Sequence, residues 1–274
     1  MKAGIIGGTG KMGKLFAGVF KRAGYDVLVS GRSTTHSNLQ LAEQCDLVIV
    51  SVPIHKTAEV ITAISPVMRE DQTLCDLTSL KVLPVKAMLG SKARVIGLHP
   101  MFGPTVSSLR RQTIIACPAR TDDQTLADLL TVFRNEGAEI TIATPEEHDR
   151  MMAVVQGLTH FVTLVMADSV RRIGMDIEKA RAFTSPVYRI ELSLAGRLLS
   201  QDPSLYADIL QQNPFVPEVL AACTASAADL REIVGTGDPE EFRNFFMKDS
   251  RHFGTFCEEG MTATDALIEC MVNR

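Results

Sequence analysis

The stretch Lys2–Ser33, KAGIIGGTGKMGKLFAGVFKRAGYDVLVSGRS, decides the fold. Ala3–Ile6 is a short apolar strand, and Gly8-Thr9-Gly10-Lys11-Met12-Gly13 then fits GxGxxG. Met12, Leu15, Phe16, Val19 and Phe20 recur at helical spacing. Gly24 stops that helix, and Asp26–Ser30 resumes an apolar strand. A glycine fingerprint between a strand and a helix, inside a complete βαβ unit, points to a dinucleotide-binding turn. Gly8 permits the tight turn, Gly10 lets a phosphate approach the backbone, and Gly13 lets the helix pack on the strand. Free N–H groups at the helix start, around Thr9, Lys11 and Met12, suit a pyrophosphate.

Just beyond the second strand, an NAD site usually carries an acidic residue for the ribose hydroxyls. Here the chain reads Ser30-Gly31-Arg32-Ser33-Thr34-Thr35, with no acid. A guanidinium at Arg32 matches phosphate geometry, and Ser33 adds a hydroxyl, so the expected cofactor is NADP, with NAD possible.

Further strands follow: Cys45–Pro53, Thr73–Lys81 (ending in Thr78 and Ser79), ARVIGLHP ending at His99, QTIIACP and AEITIATP. They alternate with helical stretches, which predicts a Rossmann-type, doubly wound parallel α/β sheet. Ligands of such sheets sit outside the carboxyl ends of the strands, where Val52, Pro53, Ser79 and His99 all fall. The lone histidine of VIGLHPMFGP (Val95–Pro104) is thus expected where a nicotinamide and its substrate would meet.

The second half reads as all-α. Thr144-Pro145-Glu146-Glu147 is a capping box with proline at the first helical position, so a long helix is expected from about Pro145 to Ile173. Its apolar residues run almost all round, with His160 in the middle, as for a helix buried against neighbours or across a subunit interface. A second helix is expected over Ser185–Gln201, carrying Arg189 and Arg197; Arg197 lies among leucines, where a buried cation needs an anion, the alternative being a snorkelling arginine or one salt-bridged to Glu191 or Asp202. Pro203 starts another helix, and two more are expected between Pro217 and Met271. The expected division is a dinucleotide-binding domain over 1–150 and a helical substrate-binding and dimerisation domain over 151–274.

The formal net charge of −4 gives no reason to expect a nucleic-acid or anionic membrane partner. The six cysteines show no CxxC spacing, as in reduced, mostly buried thiols of a cytoplasmic protein, and no metal site is expected. No secretory leader is recognised, and no apolar run is expected to be long enough to span a bilayer.

Five stretches now combine: VIVSVPIH (48–55), DLTSLK (76–81), GLHPMFGP (97–104), EEHDRMMAVVQGLTHF (146–161) and SPVYRIELSLAGRLLSQDPSLYADI (185–209). With them the chain resembles the prephenate/arogenate dehydrogenase family of tyrosine biosynthesis nearly end to end. It is most like the dehydrogenase part of the bifunctional bacterial enzymes that fuse it to chorismate mutase. The resemblance implies oxidative decarboxylation of prephenate to 4-hydroxyphenylpyruvate, or of arogenate to tyrosine, by a homodimer. It makes His99 the catalytic histidine at the ring hydroxyl, with Ser79 assisting. His160 would contact substrate, Arg197 would bind its carboxylate, and Arg189, Gln201 and Tyr206 would line the pocket.

Two departures from that pattern shape the expectations. The chain starts at the first Rossmann strand, so a monofunctional enzyme is expected, and no regulatory domain is expected to follow. Close bacterial relatives carry an acid where this chain has Ser30-Gly31-Arg32, which favours NADP. Other NADP oxidoreductases share the layout, among them β-hydroxyacid dehydrogenases and pyrroline-5-carboxylate reductases. The former would normally offer a lysine on the long helix, and Gln156–Met166 contains none. A catalytically silent cofactor sensor is the reading from another class.

Overall fold

The computed structural model describes residues 1–273. The chain divides into two compact units: Met1–Gln156 with Ser204–Val216, and Gly157–Pro203 with the residues from Pro217 onward.

The first unit is built on a seven-stranded sheet of order β2-β1-β3-β4-β5-β6-β7. Its strands are β1 (Lys2–Ile6), β2 (Asp26–Ser30), β3 (Leu47–Val50), β4 (Thr73–Asp76), β5 (Arg94–Pro100), β6 (Thr113–Arg120) and β7 (Glu139–Ile142). The apolar runs of β3 and β4 are buried throughout, as central strands covered on both faces must be. On one face, α1 (Lys11–Arg22) and α5 (Asp123–Asn135) pack through Phe16, Phe20 and Phe133, whose rings meet edge to face at 5.9 and 5.8 Å. On the other face, α2 (Asn38–Gln44), α3 (Ile54–Ile64) and α4 (Val82–Met88) contribute Leu41, Ile61, Ile64, Val85 and Met88. The chain winds outward in both directions from between β1 and β3, which makes their carboxyl ends a topological switch point.

The sheet is not wholly parallel. β6 runs antiparallel to β5, with His99 opposite Ile115, and β7 is parallel to β6. The residues between β5 and β6 form no helix, so the chain turns straight back instead of making a parallel crossover. β4 stops at Asp76, which leaves Thr78 and Ser79 in the loop beyond it.

The Thr144 capping box forms as expected, with the Thr144 hydroxyl accepting from Glu147 N–H at 3.1 Å. The helix it starts is interrupted: α6 (Pro145–Met152) passes through a π-helical turn (Ala153–Leu158) into α7 (Thr159–Ile173). By length and composition alone, the run Pro145–Ile173 could cross a bilayer, contrary to the sequence expectation. An apolar helix of a globular protein meets the same measure. After α8 (Ile177–Ala182), α9 (Pro186–Leu199) and α10 (Pro203–Gln212) come three helices where two were expected. They are α11 (Val216–Thr236), α12 (Pro239–Phe253) and α13 (Phe256–Val272). Gly254, at φ 55°, makes the extra break. Cys45, Cys75 and Cys117 are buried and free, whereas Cys257 and Cys270 are exposed, so burial of the thiols is confined to the sheet unit.

Candidate active site

The glycine turn is shaped by close backbone approach. The residue with positive φ is Gly7, at 80°, one position ahead of the glycine that sequence reading assigned to the tight turn. A Cβ at Gly7 would lie 2.1 Å from the Ser51 carbonyl oxygen, so β1 and β3 meet tightly there. A Cβ at Gly13 would lie 2.4 Å from the Gly7 oxygen, and one at Gly8 would lie 2.7 Å from Val29. Gly8 therefore packs on β2, and Gly13 seats the helix on the turn. No side chain caps α1 at Gly10, and its first turn carries no acid. Its opening N–H groups are left for an anion, so the turn fits a dinucleotide pyrophosphate. Val52 and Pro53 follow β3 at the same edge.

Beyond β2, Ser30 is buried and its hydroxyl donates to Asn38 Oδ1 at 2.7 Å. Thr34 Oγ1 accepts from Gly31 N–H at 2.8 Å and folds the loop. Arg32 and Ser33 are exposed. Residues 30–37 contain no carboxylate that would repel a phosphate.

His99 is buried, the last residue but one of β5. Its Nδ1 lies 2.8 Å from His148 Nε2, and His148 Nδ1 lies 2.7 Å from Asp149 Oδ1. Asp149 also accepts the backbone N–H groups of Lys81 at 2.8 Å and Val82 at 2.9 Å. The Asn213 amide donates to the Asp149 carbonyl at 2.7 Å, tying α6 to the loop after α10. On the other side of His99, the Gln156 amide nitrogen lies 3.4 Å from His99 Nε2, and Gln156 Oε1 is buried without a partner among the described residues. Gln156 sits in the π-helical turn, whose wider winding changes where its side chain points.

Burial pushes the His99 pKa well below its ordinary value, aided by the neighbouring His148 and Lys81. Burial also lowers His148, against the opposing pull of Asp149. Both imidazoles are therefore neutral near pH 7. Beneath them lies a second polar group: Lys81 Nζ donates to Asp76 Oδ2 and, at 2.8 Å, to the Leu98 carbonyl, with both side chains fully buried. Asp76 Oδ2 also accepts from Thr78 N–H at 3.0 Å and Thr78 Oγ1 at 2.5 Å. Asp76 lies opposite Gly97 in the sheet, so the loop bearing Thr78 and half-buried Ser79 comes level with His99. Sequence reading missed His148, Asp149, Gln156, Lys81 and Asp76. The signal was present in the adjacent "HD" of the capped helix and in the "DLTSLK" segment.

Tyr206 belongs to the α10 segment that packs with the sheet unit, where His55 Nδ1 and Asp208 pair at 2.8 Å. His160, Arg189, Arg197 and Gln201 belong to the second unit. His160 is half-buried, and burial lowers its pKa. Arg197 is exposed rather than buried, because α9 buries Ala195 and Leu198 on the opposite side. Arg189 is exposed as well.

Two family models match in tandem: the prephenate dehydrogenase nucleotide-binding domain over residues 16–142, and the prephenate dehydrogenase dimerization domain over 144–248. A probable arogenate/prephenate dehydrogenase of Methanocaldococcus jannaschii is 36% identical over 96% of this chain, which spans 64% of that protein's length. The T-protein of Enterobacter agglomerans is 33% identical over 96% of this chain and 70% of its own. Prephenate dehydrogenase from Aquifex aeolicus, solved in complex with hydroxyphenyl propionate and NAD+, shares the fold at TM-score 0.72 and 22% identity, covering 92% of this chain and 98% of that one. On these matches, the chain belongs to the prephenate dehydrogenase family.

Proposed function

We propose that this protein oxidatively decarboxylates prephenate to 4-hydroxyphenylpyruvate with NADP as hydride acceptor, as a homodimer formed through its helical unit. The observation that carries the reading is His99: a buried, neutral imidazole beyond the glycine turn on the same sheet edge, with one nitrogen engaged by His148. Neutral Nε2 accepts the proton of the substrate's ring hydroxyl as the carbinol hydrogen leaves as hydride. Loss of the ring carboxylate as carbon dioxide then makes the ring aromatic, and the imidazolium returns its proton to the phenolate oxygen. When bound, the nicotinamide supplies the two-electron acceptor. Ser79 is assigned to orient the hydroxyl. Arg197, which is exposed, is assigned to a substrate carboxylate, with His160, Arg189, Gln201 and Tyr206 as further pocket residues. Arg32 is assigned to a 2′-phosphate, which favours NADP.

Arogenate is the second reading, favoured by the similarity to a relative named for both substrates. Initial rates with prephenate or arogenate, each with NAD or NADP, separate the four combinations. Prephenate with NADP is expected to be fastest. No turnover in any combination by folded, cofactor-binding protein would overturn the proposal.

A further inference from the structure

We infer that His148 and Asp149 are positioning residues for His99, which hold its proton on Nδ1 and leave the lone pair on Nε2. The inference deepens the dehydrogenase reading and rests on it for its catalytic consequence, but its structural content stands apart.

Donors and acceptors alternate in a chain that starts at Asp149. Its carboxylate accepts the Lys81 and Val82 N–H groups, and two backbone donors keep it in the accepting state. His148 Nδ1, 2.7 Å away, must therefore carry a hydrogen. Burial keeps His148 neutral, so its Nε2 has only a lone pair. His99 Nδ1, 2.8 Å from that lone pair, must be the donor. The remaining nitrogen of His99 is then the bare Nε2. Gln156 agrees: its amide N–H group points at His99 Nε2 from 3.4 Å, long enough for a closer hydroxyl donor to replace it.

The arrangement is held from several sides. Asp149 reaches across to the start of α4, and Asn213 grips its carbonyl. The charged and titratable groups around His99 are His148 and Asp149 from α6, Lys81 at the start of α4, and Asp76 at the end of β4. Lys81 opposes a positive imidazole, and its partner Asp76 offsets that field. When His99 takes a proton on Nε2, its Nδ1–H still points at a lone pair that Asp149 has made more basic.

Two variants separate positioning from packing. His148→Gln retains a side-chain carbonyl that can accept the Nδ1–H of His99. His148→Phe keeps the ring volume but offers no acceptor, so His99 is released to the other tautomer, with its hydrogen on Nε2 and Gln156 Oε1 able to accept it. Long-range 15N–1H spectra of histidine-labelled protein at pH 7.5 read the His99 tautomer directly, without any substrate. In the wild type, Nε2 is expected to be unprotonated. In His148→Phe, Nε2 is expected to carry the hydrogen. kcat is expected to fall by about 100-fold or more, within the range a misplaced general base costs. KM for substrate and affinity for cofactor should change less than about threefold, since uniform binding is untouched. His148→Gln should retain the wild-type tautomer and recover most of kcat. A hydrogen on His99 Nε2 in the wild type overturns the inference, as does equal kcat in the two folded variants. If the wild type turns over none of the four substrate and cofactor combinations, the function proposal fails, and the spectra still decide the tautomer.

Discussion

Replacing Lys81 with methionine removes the cation from a fully buried pair and leaves the anion behind. The structure gives the terms. Lys81 Nζ donates to Asp76 Oδ2 and to the Leu98 carbonyl, and neither charged side chain is exposed to solvent. In Lys81→Met, Asp76 keeps only the Thr78 N–H and hydroxyl on Oδ2, while Oδ1 already lacks a partner among the described residues. The Leu98 carbonyl loses its side-chain donor as well. Breaking a buried pair from one side costs about 3–5 kcal/mol, because an uncompensated charge remains. At about 2–4 °C per kcal/mol for a unit of this size, the melting temperature should fall by roughly 6–20 °C. The chain has no tryptophan, so urea unfolding is best followed by far-UV circular dichroism. Asp76→Leu combined with Lys81→Met should recover most of the loss, since a well-packed apolar pair of similar volume is often neutral. A loss under about 1 kcal/mol in Lys81→Met, or a double variant no better than the single one, would refute the reasoning.

Arg32→Ala should weaken NADP relative to NAD by about 10–150-fold in kcat/KM, the worth of one charge-assisted bond at about 1.5–3 kcal/mol; unchanged preference would make Arg32 a loop residue. Acid should both destabilise and inactivate the protein. Burial lowers His99 and His148 in the folded state, so stability is full above the unfolded value near ~6.5 and falls as pH drops towards the folded values, approaching about 1.4 kcal/mol per pH unit for each histidine. His99→Asn should flatten that slope in melts taken from pH 7.5 to 5. Arg197→Ala should raise KM for the substrate about tenfold or more with a smaller change in kcat, because a carboxylate clamp acts by binding.

The first βαβ unit was legible because glycine spacing, helix periodicity and strand runs agree over Lys2–Ser33. The direction of β6 was not, because an apolar strand carries no mark of its orientation, and only the absence of a helix between β5 and β6 hints at it. The break at Gly254 was hidden inside an amphipathic pattern that continues on both sides. At the site, His99 was found from its place at a strand end. His148 and Asp149 were not, since adjacent helical positions point about 100° apart, and their convergence on β5 and α4 exists only in three dimensions. The surroundings of Arg197 stayed open in the sequence, because leucines lie all round this part of α9 and only the packing shows that Ala195 and Leu198 are buried while Leu194 and Leu199 are exposed.

In the proposed reaction His99 takes the hydroxyl proton in a coupled oxidation and decarboxylation. The most direct measurement follows NADPH and carbon dioxide together, in wild type and His99→Asn, with prephenate in excess over NADP. Wild type should release the two in a 1:1 ratio, as the proposed reaction requires, alongside 4-hydroxyphenylpyruvate. His99→Asn should bind NADP normally and lose about 10²–10⁴-fold in rate. Near-wild-type turnover by His99→Asn, or NADPH formed without carbon dioxide, would contradict it.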